Sequence, residues 1–203
     1  MEISFVTYSP HYELLLHRDE LLTADDLPKR YTAYSPCFRR EAGAAGKDTR
    51  GLLRVHQFDK VELVRYETPD RSLEALEELT REAETILERL GLHYRRILLA
   101  SEDLGQSASM TYDLEVWAPG LEKWLEVSSC TTFTDYQARR ASIRYKRTQE
   151  EKPEYIHTLN GSGLALPRVI AALLETYQES DGSVSLPTVL HPYVGSERLT
   201  RSV

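Results

Sequence analysis

Hydrophobic and polar positions recur with two different periods along the chain. Between residues 72 and 90 the apolar positions have helical spacing, which predicts an amphipathic helix. The predicted buried stripe consists of Leu73, Leu76, Leu79, Ala83, Ile86, Leu87 and Leu90. Ser72 can cap the start of this helix, and Gly91 can end it.

Shorter segments rich in tyrosine, valine and leucine predict strands. Residues 30–38 and 52–65 form a predicted hairpin, because the glycines and small residues of 42–51 favour a long loop between them. Further strands are predicted at 94–100, which is expected to be buried, and at 111–118, 123–130, 143–146 and 155–159. A turn at 118–120 joins the strands on either side of it.

Two further helices complete the predicted elements. A short one is expected to begin at Thr134 or Asp135, and a longer one, with Pro167 in its first turn, is expected to continue through Tyr177. Strands that follow one another through hairpins favour an antiparallel sheet over a doubly wound parallel one. The predicted fold class is therefore α+β, an antiparallel sheet with the two long helices packed on it.

Length and composition indicate the number of domains and the cellular location to expect. The 203 residues, 41% hydrophobic and 28% charged, are enough to bury one core, so residues 1–203 are expected to form a single domain. The N-terminus lacks the basic and apolar regions of a signal peptide, and no apolar run approaches the roughly 18 residues of a membrane span. We therefore expect a cytoplasmic protein without membrane contact.

Charge and cysteine usage exclude some functions. A net charge of −7 argues against a free-standing nucleic-acid binder. The local exception is a basic cluster, which fits either a solvated face or a position near nucleotide or tRNA phosphates: Arg139, Arg140, Arg144, Lys146 and Arg147. The six histidines and two cysteines lack metal-ligand spacing, so zinc is not expected, and Cys37 and Cys130 are predicted to be free, buried thiols.

One predicted strand has a polar face. Alternation along residues 52–65 places a set of mostly charged side chains together: Arg54, His56, Phe58, Lys60 and Glu62. Arg39 and Glu41 share a face of the preceding strand, and hairpin pairing would bring them beside this set. The sequence has no P-loop or dinucleotide fingerprint, so nucleotide binding would need other chemistry.

Two segments carry a family resemblance. Residues 38–41 (Phe-Arg-Arg-Glu) with 54–58 (Arg-Val-His-Gln-Phe) are similar to motif 2 of the class II aminoacyl-tRNA synthetases, and residues 159–168 (Leu-Asn-Gly-Ser-Gly-Leu-Ala-Leu-Pro-Arg) are similar to motif 3. Within that class the amino-acid sequence from about Leu16 to Gly195 resembles that of bacterial seryl-tRNA synthetases. The resemblance implies ATP-dependent activation of L-serine to seryl-adenylate and its transfer to tRNA(Ser).

The resemblance also implies roles at the nucleotide. Arg39 would contact the α-phosphate and the amino-acid carboxylate, and Glu41 would contact the adenine amino group. Arg54 and Arg168 would bind at the γ-phosphate, and Phe58 would stack on adenine. Arginine suits these roles because its planar, permanently charged fork can clamp phosphate oxygens. Arg39 and Arg168 are the expected catalytic residues.

Serine and magnesium sites follow from the same resemblance. Glu62, Asn160 and Ser162 would recognise serine. Glu126 and Ser129 would hold Mg²⁺ against the ATP phosphates, since oxygen ligands suit that ion. Their odd spacing points them to opposite faces of an ideal strand, so this assignment requires a bulge or a strand end between them.

Some family features do not appear in the sequence. The coiled-coil arm and motif 1, which builds the family's homodimer interface, are not recognised, and Thr7 and Glu13 lack the spacing of the family's amino-group ligands. We therefore expect the C-terminal part of a catalytic domain. The alternatives are an amino acid:carrier protein ligase, which should retain motif 1, and a non-catalytic module that binds nucleotide or a partner. The presence of Arg39, Arg54 and Arg168 weighs against a decayed module.

Overall fold

A computed structural model describes residues 15–38 and 52–200. The strands, in chain order, are β1 (Leu21–Thr23), β2 (Lys29–Phe38), β3 (Gln57–Glu67), β4 (Tyr94–Leu98), β5 (Met110–Ala118), β6 (Lys123–Thr132), β7 (Arg144–Lys146), β8 (Glu154–Tyr155), β9 (His157–Ala165), β10 (Val184–Ser185) and β11 (Arg198–Leu199). The α-helices are α1 (Ser72–Arg89), α2 (Tyr136–Ala141), α3 (Leu166–Tyr177) and α4 (His191–Val194), and short 3-10 helices span Ala24–Asp26, Pro69–Arg71 and Thr188–Leu190.

Six strands form the main sheet, in the order β2-β3-β9-β6-β5-β4. Every neighbouring pair in it is antiparallel, which confirms the predicted fold class. The expectation of a buried strand at 94–100 is wrong. β4 ends at Leu98 and lies at an edge of the sheet, so it has a single neighbour, and Arg95 and Leu98 are exposed.

Helix α1 occupies the predicted position, with a buried face that differs in part from the expectation. Leu73 and Ile86 were expected in the core, but their side chains are 62% and 37% exposed. Leu73 lies in the first turn of α1, where the helix begins and does not reach the core. Thr80 and Glu84 are buried instead, because Thr80 donates a hydrogen bond to the carbonyl of Leu76 and Glu84 pairs with an arginine from β4.

Of the two residues expected to cap α1, the one at its C-terminus is confirmed and the one at its N-terminus is not. Gly91 has a φ of +65°, and the backbone amides of Gly91 and Leu92 donate to the carbonyls of Glu88 and Leu87, so glycine ends the helix as predicted. Ser72 does not cap the start. It lies inside the first turn, and its hydroxyl hydrogen-bonds the carbonyl of Pro69 and contacts Nδ1 of His157.

The main sheet has a core on each face. On one face α1 and α3 pack over residues that include Leu114, Leu164 and Cys130. Helix α3 begins at Leu166 with Pro167 in its first turn, as predicted. None of the helices in the described part of the chain has the length and apolar composition needed to cross a membrane.

The other face, which we call the open face, carries a smaller core at one end. Val64 and Tyr66 of β3 pack there against Ile143, Tyr145 and Ile156. A small sheet in the order β1-β7-β8 contributes to this cover. The predicted strand at 143–146 therefore belongs to a second sheet, and the segment predicted at 155–159 is divided between β8 and β9. The middle of the open face lies beyond this cover.

Candidate active site

Strand β3 brings Phe58, Lys60 and Glu62 to the open face. They alternate along the strand with Val61 and Leu63, and Leu63 packs against the helix-side core. Sequence periodicity had extended this strand back to residue 52. β3 begins at Gln57, so Arg54 and His56 precede the strand and their positions are not set by its alternation.

Among the candidate side chains that the structure describes, Glu62 is the most enclosed, at 1% exposure. It pairs in register with Ser162 of β9, and one of its oxygens, Oε1, accepts a hydrogen bond of 2.6 Å from Nδ2 of Asn160. Nζ of Lys60 lies 2.5 Å from the other oxygen, Oε2. The three predicted serine-binding residues thus share one face, two of them in direct contact. Oδ1 of Asn160 is buried and has no hydrogen-bond partner among the described residues.

A bulge in β6 brings Glu126 and Ser129 to the same face. Leu114 pairs with Ser128, whereas its successor Glu115 pairs with Glu126, so Val127 is an extra residue in β6. The extra residue reverses the alternation, and both Glu126 and Ser129 lie on the open face. The structure therefore contains the irregularity that the sequence assignment required.

Asp113 lies directly opposite Ser129 in this register, on the same face. Burial is the main influence on the Asp113 carboxyl and raises its pKa, against the lowering effect of Ser129. Sequence reasoning missed Asp113. The available signal was its position in the hairpin, since Asp113 and Ser129 stand at comparable distances from the turn after Ala118.

Arg168 of α3 contacts both the segment before β3 and strand β6. From the first turn of α3, its Nε donates to the carbonyl of Leu53 at 3.2 Å and its Nη1 donates to the carbonyl of Glu126 at 2.8 Å. Nη1 also lies 3.9 Å from Oε2 of Glu126. The guanidinium thus holds the segment that contains Arg54 near β6. Of the remaining candidates, Arg39 and Glu41 lie outside the described residues.

A glycine in β9 allows helix α1 and strand β6 to approach closely beneath the site. A Cβ on Gly161 would lie 2.5 Å from Cδ2 of Leu79 and 2.7 Å from Sγ of Cys130. Burial raises the pKa of the Cys130 thiol to about 11, so this thiol stays protonated and is a poor nucleophile. Cys37 is also buried and free, and burial likewise raises its pKa.

The basic cluster predicted at 139–147 is partly neutralised. Arg139 pairs with Asp135 at 2.5 Å, and Arg147 pairs with Asp70 at 2.9 Å. Arg140 stacks over the ring of Tyr136, with 3.4 Å from its Cζ to the ring centroid. These contacts fit a largely structural surface, and they leave the predicted phosphate role without a specific contact to support it.

Comparisons with known proteins identify the family of the chain. A serine–tRNA ligase from Gemmatimonas aurantiaca is 67% identical over 180 residues, which cover 89% of this chain and 42% of that protein. The crystal structure of seryl-tRNA synthetase from Pyrococcus horikoshii complexed with ATP aligns with a TM-score of 0.94 at 42% identity, over 100% of this chain and 46% of that one.

A cytoplasmic serine–tRNA ligase from Naegleria fowleri in complex with AMP aligns with a TM-score of 0.88 at 34% identity, over 94% of this chain and 46% of that one. The chain thus spans less than half the length of these relatives. Residues 7–177 match the family profile described as tRNA synthetase class II core domain (G, H, P, S and T). This match covers most of the sequence, and the chain accordingly belongs to the class II tRNA synthetase core-domain family.

Proposed function

We propose that the chain provides the catalytic part of a serine–tRNA ligase, which activates L-serine with ATP to seryl-adenylate and transfers it to tRNA(Ser). The observation that carries the proposal is the contact between Asn160 and Glu62 on the open face of a class II sheet. The proposal includes a single catalytic unit, a cytoplasmic location and the homodimer typical of the family. The carrier-ligase and non-catalytic alternatives gain no support, since the curated relatives are serine–tRNA ligases.

The serine pocket in this proposal consists of Glu62, Asn160 and Ser162. The carboxylate of Glu62 is a hydrogen-bond acceptor, and the buried Oδ1 of Asn160 is a second one, so a substrate hydroxyl has acceptors within the same pocket. Alanine would leave the buried Oδ1 of Asn160 without a donor. A site of this kind discriminates strongly against a substrate that lacks the hydroxyl.

The nucleotide site consists of side chains around that pocket. Phe58 offers a ring for adenine, and Arg54 and Arg168 offer guanidinium groups for the phosphates, with Arg39 and Glu41 assigned the roles implied by the family resemblance. The side chain of Arg168 is held by two backbone carbonyls, so little conformational entropy remains to be lost when phosphate binds. Its position in the first turn of α3 adds the favourable helix dipole.

Magnesium belongs to the proposal through Glu126 and Ser129. A carboxylate and a hydroxyl on one face are oxygen donors of the type that Mg²⁺ prefers, so the residues fit the ion. When bound, the ion would neutralise charge on the ATP phosphates. The chain's own contribution is to hold these two oxygens on the same face as Glu62.

The first test is ATP–pyrophosphate exchange by the full chain with Mg-ATP and serine. We expect exchange that depends on serine and is much weaker with alanine, glycine or threonine. Transfer to tRNA is measured separately, because it can fail while adenylate still forms. Equal exchange with alanine, or no ATP binding by a chain shown to be folded by circular dichroism, would refute the proposal.

A variant tests the adenine contact. Phe58→Ala should weaken ATP binding by about 1–3 kcal/mol, the scale of one aromatic–base stack, as measured by calorimetry. Tyr193→Ala is the control, because Tyr193 is an aromatic side chain that is 85% exposed. Similar losses in both variants would mean that Phe58 has no specific contact with the nucleotide.

A further inference from the structure

We propose that Asp113 is a positioning residue for the divalent-cation site: it accepts the hydroxyl proton of Ser129 and so directs a lone pair of Ser129 Oγ toward the cation. The inference rests on the proposed function, because the cation is the one bound with ATP. It adds a residue from β5 to a site that was otherwise assigned to β6 alone.

The placement of the two residues supports this role. Asp113 and Ser129 are register partners in the β5–β6 pair, so their side chains project next to each other from the open face. A serine hydroxyl has one proton and two lone pairs. While the proton is directed to the Asp113 carboxylate, it cannot point at the cation, and the oxygen becomes a better metal ligand.

The charges around Asp113 distinguish it from its acidic neighbours. Glu115, two residues along the same face, pairs with Arg95 at 2.6 Å, and Glu126 lies 3.9 Å from Nη1 of Arg168. Within the described ranges Asp113 has no ion-pair partner, and its buried Oδ1 accepts no hydrogen bond. A buried carboxylate oxygen in this state is destabilising unless a donor or a cation approaches it.

The chemistry of metal ligands explains why this arrangement would matter. Groups that hydrogen-bond a ligand fix its orientation and raise its basicity, and their loss typically weakens metal binding by about 10- to 100-fold. A purely structural role is the alternative, in which Asp113 only joins β5 to β6. The two roles differ in their effect on metal affinity, because only the positioning role lowers it when Asp113 is replaced.

The experiment measures Mn²⁺ binding to the full chain by electron paramagnetic resonance, with a non-hydrolysable ATP analogue present. We expect Asp113→Ala to weaken Mn²⁺ binding about 10- to 100-fold. Glu115→Gln is the matched control, because it removes an acid from the same face that does not contact Ser129, and it should change Mn²⁺ affinity less than about twofold. If Asp113→Ala does not fold, Asp113→Asn provides the measurement, with a loss of at least about tenfold expected.

A double-mutant cycle separates positioning from structure. If Asp113 acts through Ser129, the Asp113→Ala/Ser129→Ala variant should bind Mn²⁺ no more weakly than Ser129→Ala alone. Additive losses, or unchanged Mn²⁺ affinity in the Asp113 variants, would overturn the inference while wild-type serine-dependent exchange persists. Failure of the wild type to bind Mn²⁺ with nucleotide would overturn the inference, and absence of serine-dependent exchange would independently overturn the proposed function.

Discussion

Nδ2 of Asn160 donates a hydrogen bond to Oε1 of Glu62 at 2.6 Å and so joins β9 to β3 across the open face. Glu62 is 1% exposed, so its carboxylate depends on protein groups rather than on water for its hydrogen bonds. Asn160 therefore stabilises the fold, in addition to its proposed part in serine binding.

Replacing Asn160 by alanine tests this dependence. The change should lower the free energy of unfolding by about 1–3 kcal/mol, because Glu62 loses a buried donor. Urea unfolding followed by circular dichroism measures it. Gln106→Ala removes an exposed amide and should stay within about 0.5 kcal/mol of wild type. Equal stability of Asn160→Ala and wild type would show that the buried carboxylate of Glu62 does not depend on this donor.

Gly161 offers a test of close packing beneath the site. Gly161→Ala should destabilise the chain by about 1–3 kcal/mol, because the new methyl group meets Leu79 and Cys130 well inside van der Waals distance. Gly105→Ala is the control, since a Cβ there meets no atom within 4 Å. Thermal unfolding of both variants gives the comparison. A Gly161→Ala variant as stable as Gly105→Ala would mean that Leu79 and Cys130 move aside at little cost.

Arg96 connects β4 to α1 through a nearly buried acid. Its Nε and Nη2 donate to the two oxygens of Glu84, both at 2.9 Å, and the Glu84 side chain is 7% exposed. Arg96→Ala should cost about 1–3 kcal/mol of unfolding free energy, because Glu84 would keep its charge without this partner. Arg89→Ala, which removes an exposed arginine at the end of the same helix, should be nearly neutral in the same urea titration. Matching losses would attribute the effect to the loss of one positive charge rather than to the pairing of Arg96 with Glu84.

Acid pH should weaken the contacts that the glutamates of α1 make with neighbouring side chains, and so lower the stability of the fold. The pKa of Glu77 is lowered mainly by a hydrogen bond from Tyr112, that of Glu78 by Arg65 and that of Glu88 by Arg81. Because their folded pKa values lie below the ordinary 4.5, these groups stabilise the fold above that pH, and the stabilisation is lost as the pH falls through the folded values.

A triple Glu→Gln variant at these positions isolates the effect. Wild type should exceed the variant in urea midpoint at pH 7, and the difference should shrink steadily below about pH 4.5. A difference that is constant with pH would show that these carboxylates are not responsible. Circular dichroism at each pH confirms that both proteins begin folded.

The long elements were predictable from the sequence because their periodicity extends over many residues. Helix α1 and the start of α3 at Leu166 are examples, and the hairpin order gave the antiparallel sheet. Details that depend on neighbouring strands were not predictable. Arg54 was assigned to a strand that begins three residues later, and Leu73 to a core that its end of the helix does not reach.

The candidate site shows the same division. The sharing of a face by Glu62 and Ser162 depends on strand register, which the hairpin and the sheet order impose. The proposed contribution of Asp113 was not predicted, since a single acid in an alternating strand looks like an ordinary exposed residue. It becomes informative only after its partner across the pair is known to be Ser129.

The extra residue in β6 makes the number of residues between Glu126 and Ser129 part of the site itself. Deleting Val127 would remove no proposed ligand and would leave Glu126 opposite Glu115, because the shortened strand would alternate regularly and keep Glu126 and Ser129 on the open face. The deletion would instead remove the bulge and bring the two side chains one residue closer along the strand. Val127→Ala would keep the bulge and lose only packing. A frame-preserving deletion of one codon should therefore change the spacing of the two proposed ligands without turning either away from the face, and comparisons among relatives would need to count this extra residue before any ligand is matched.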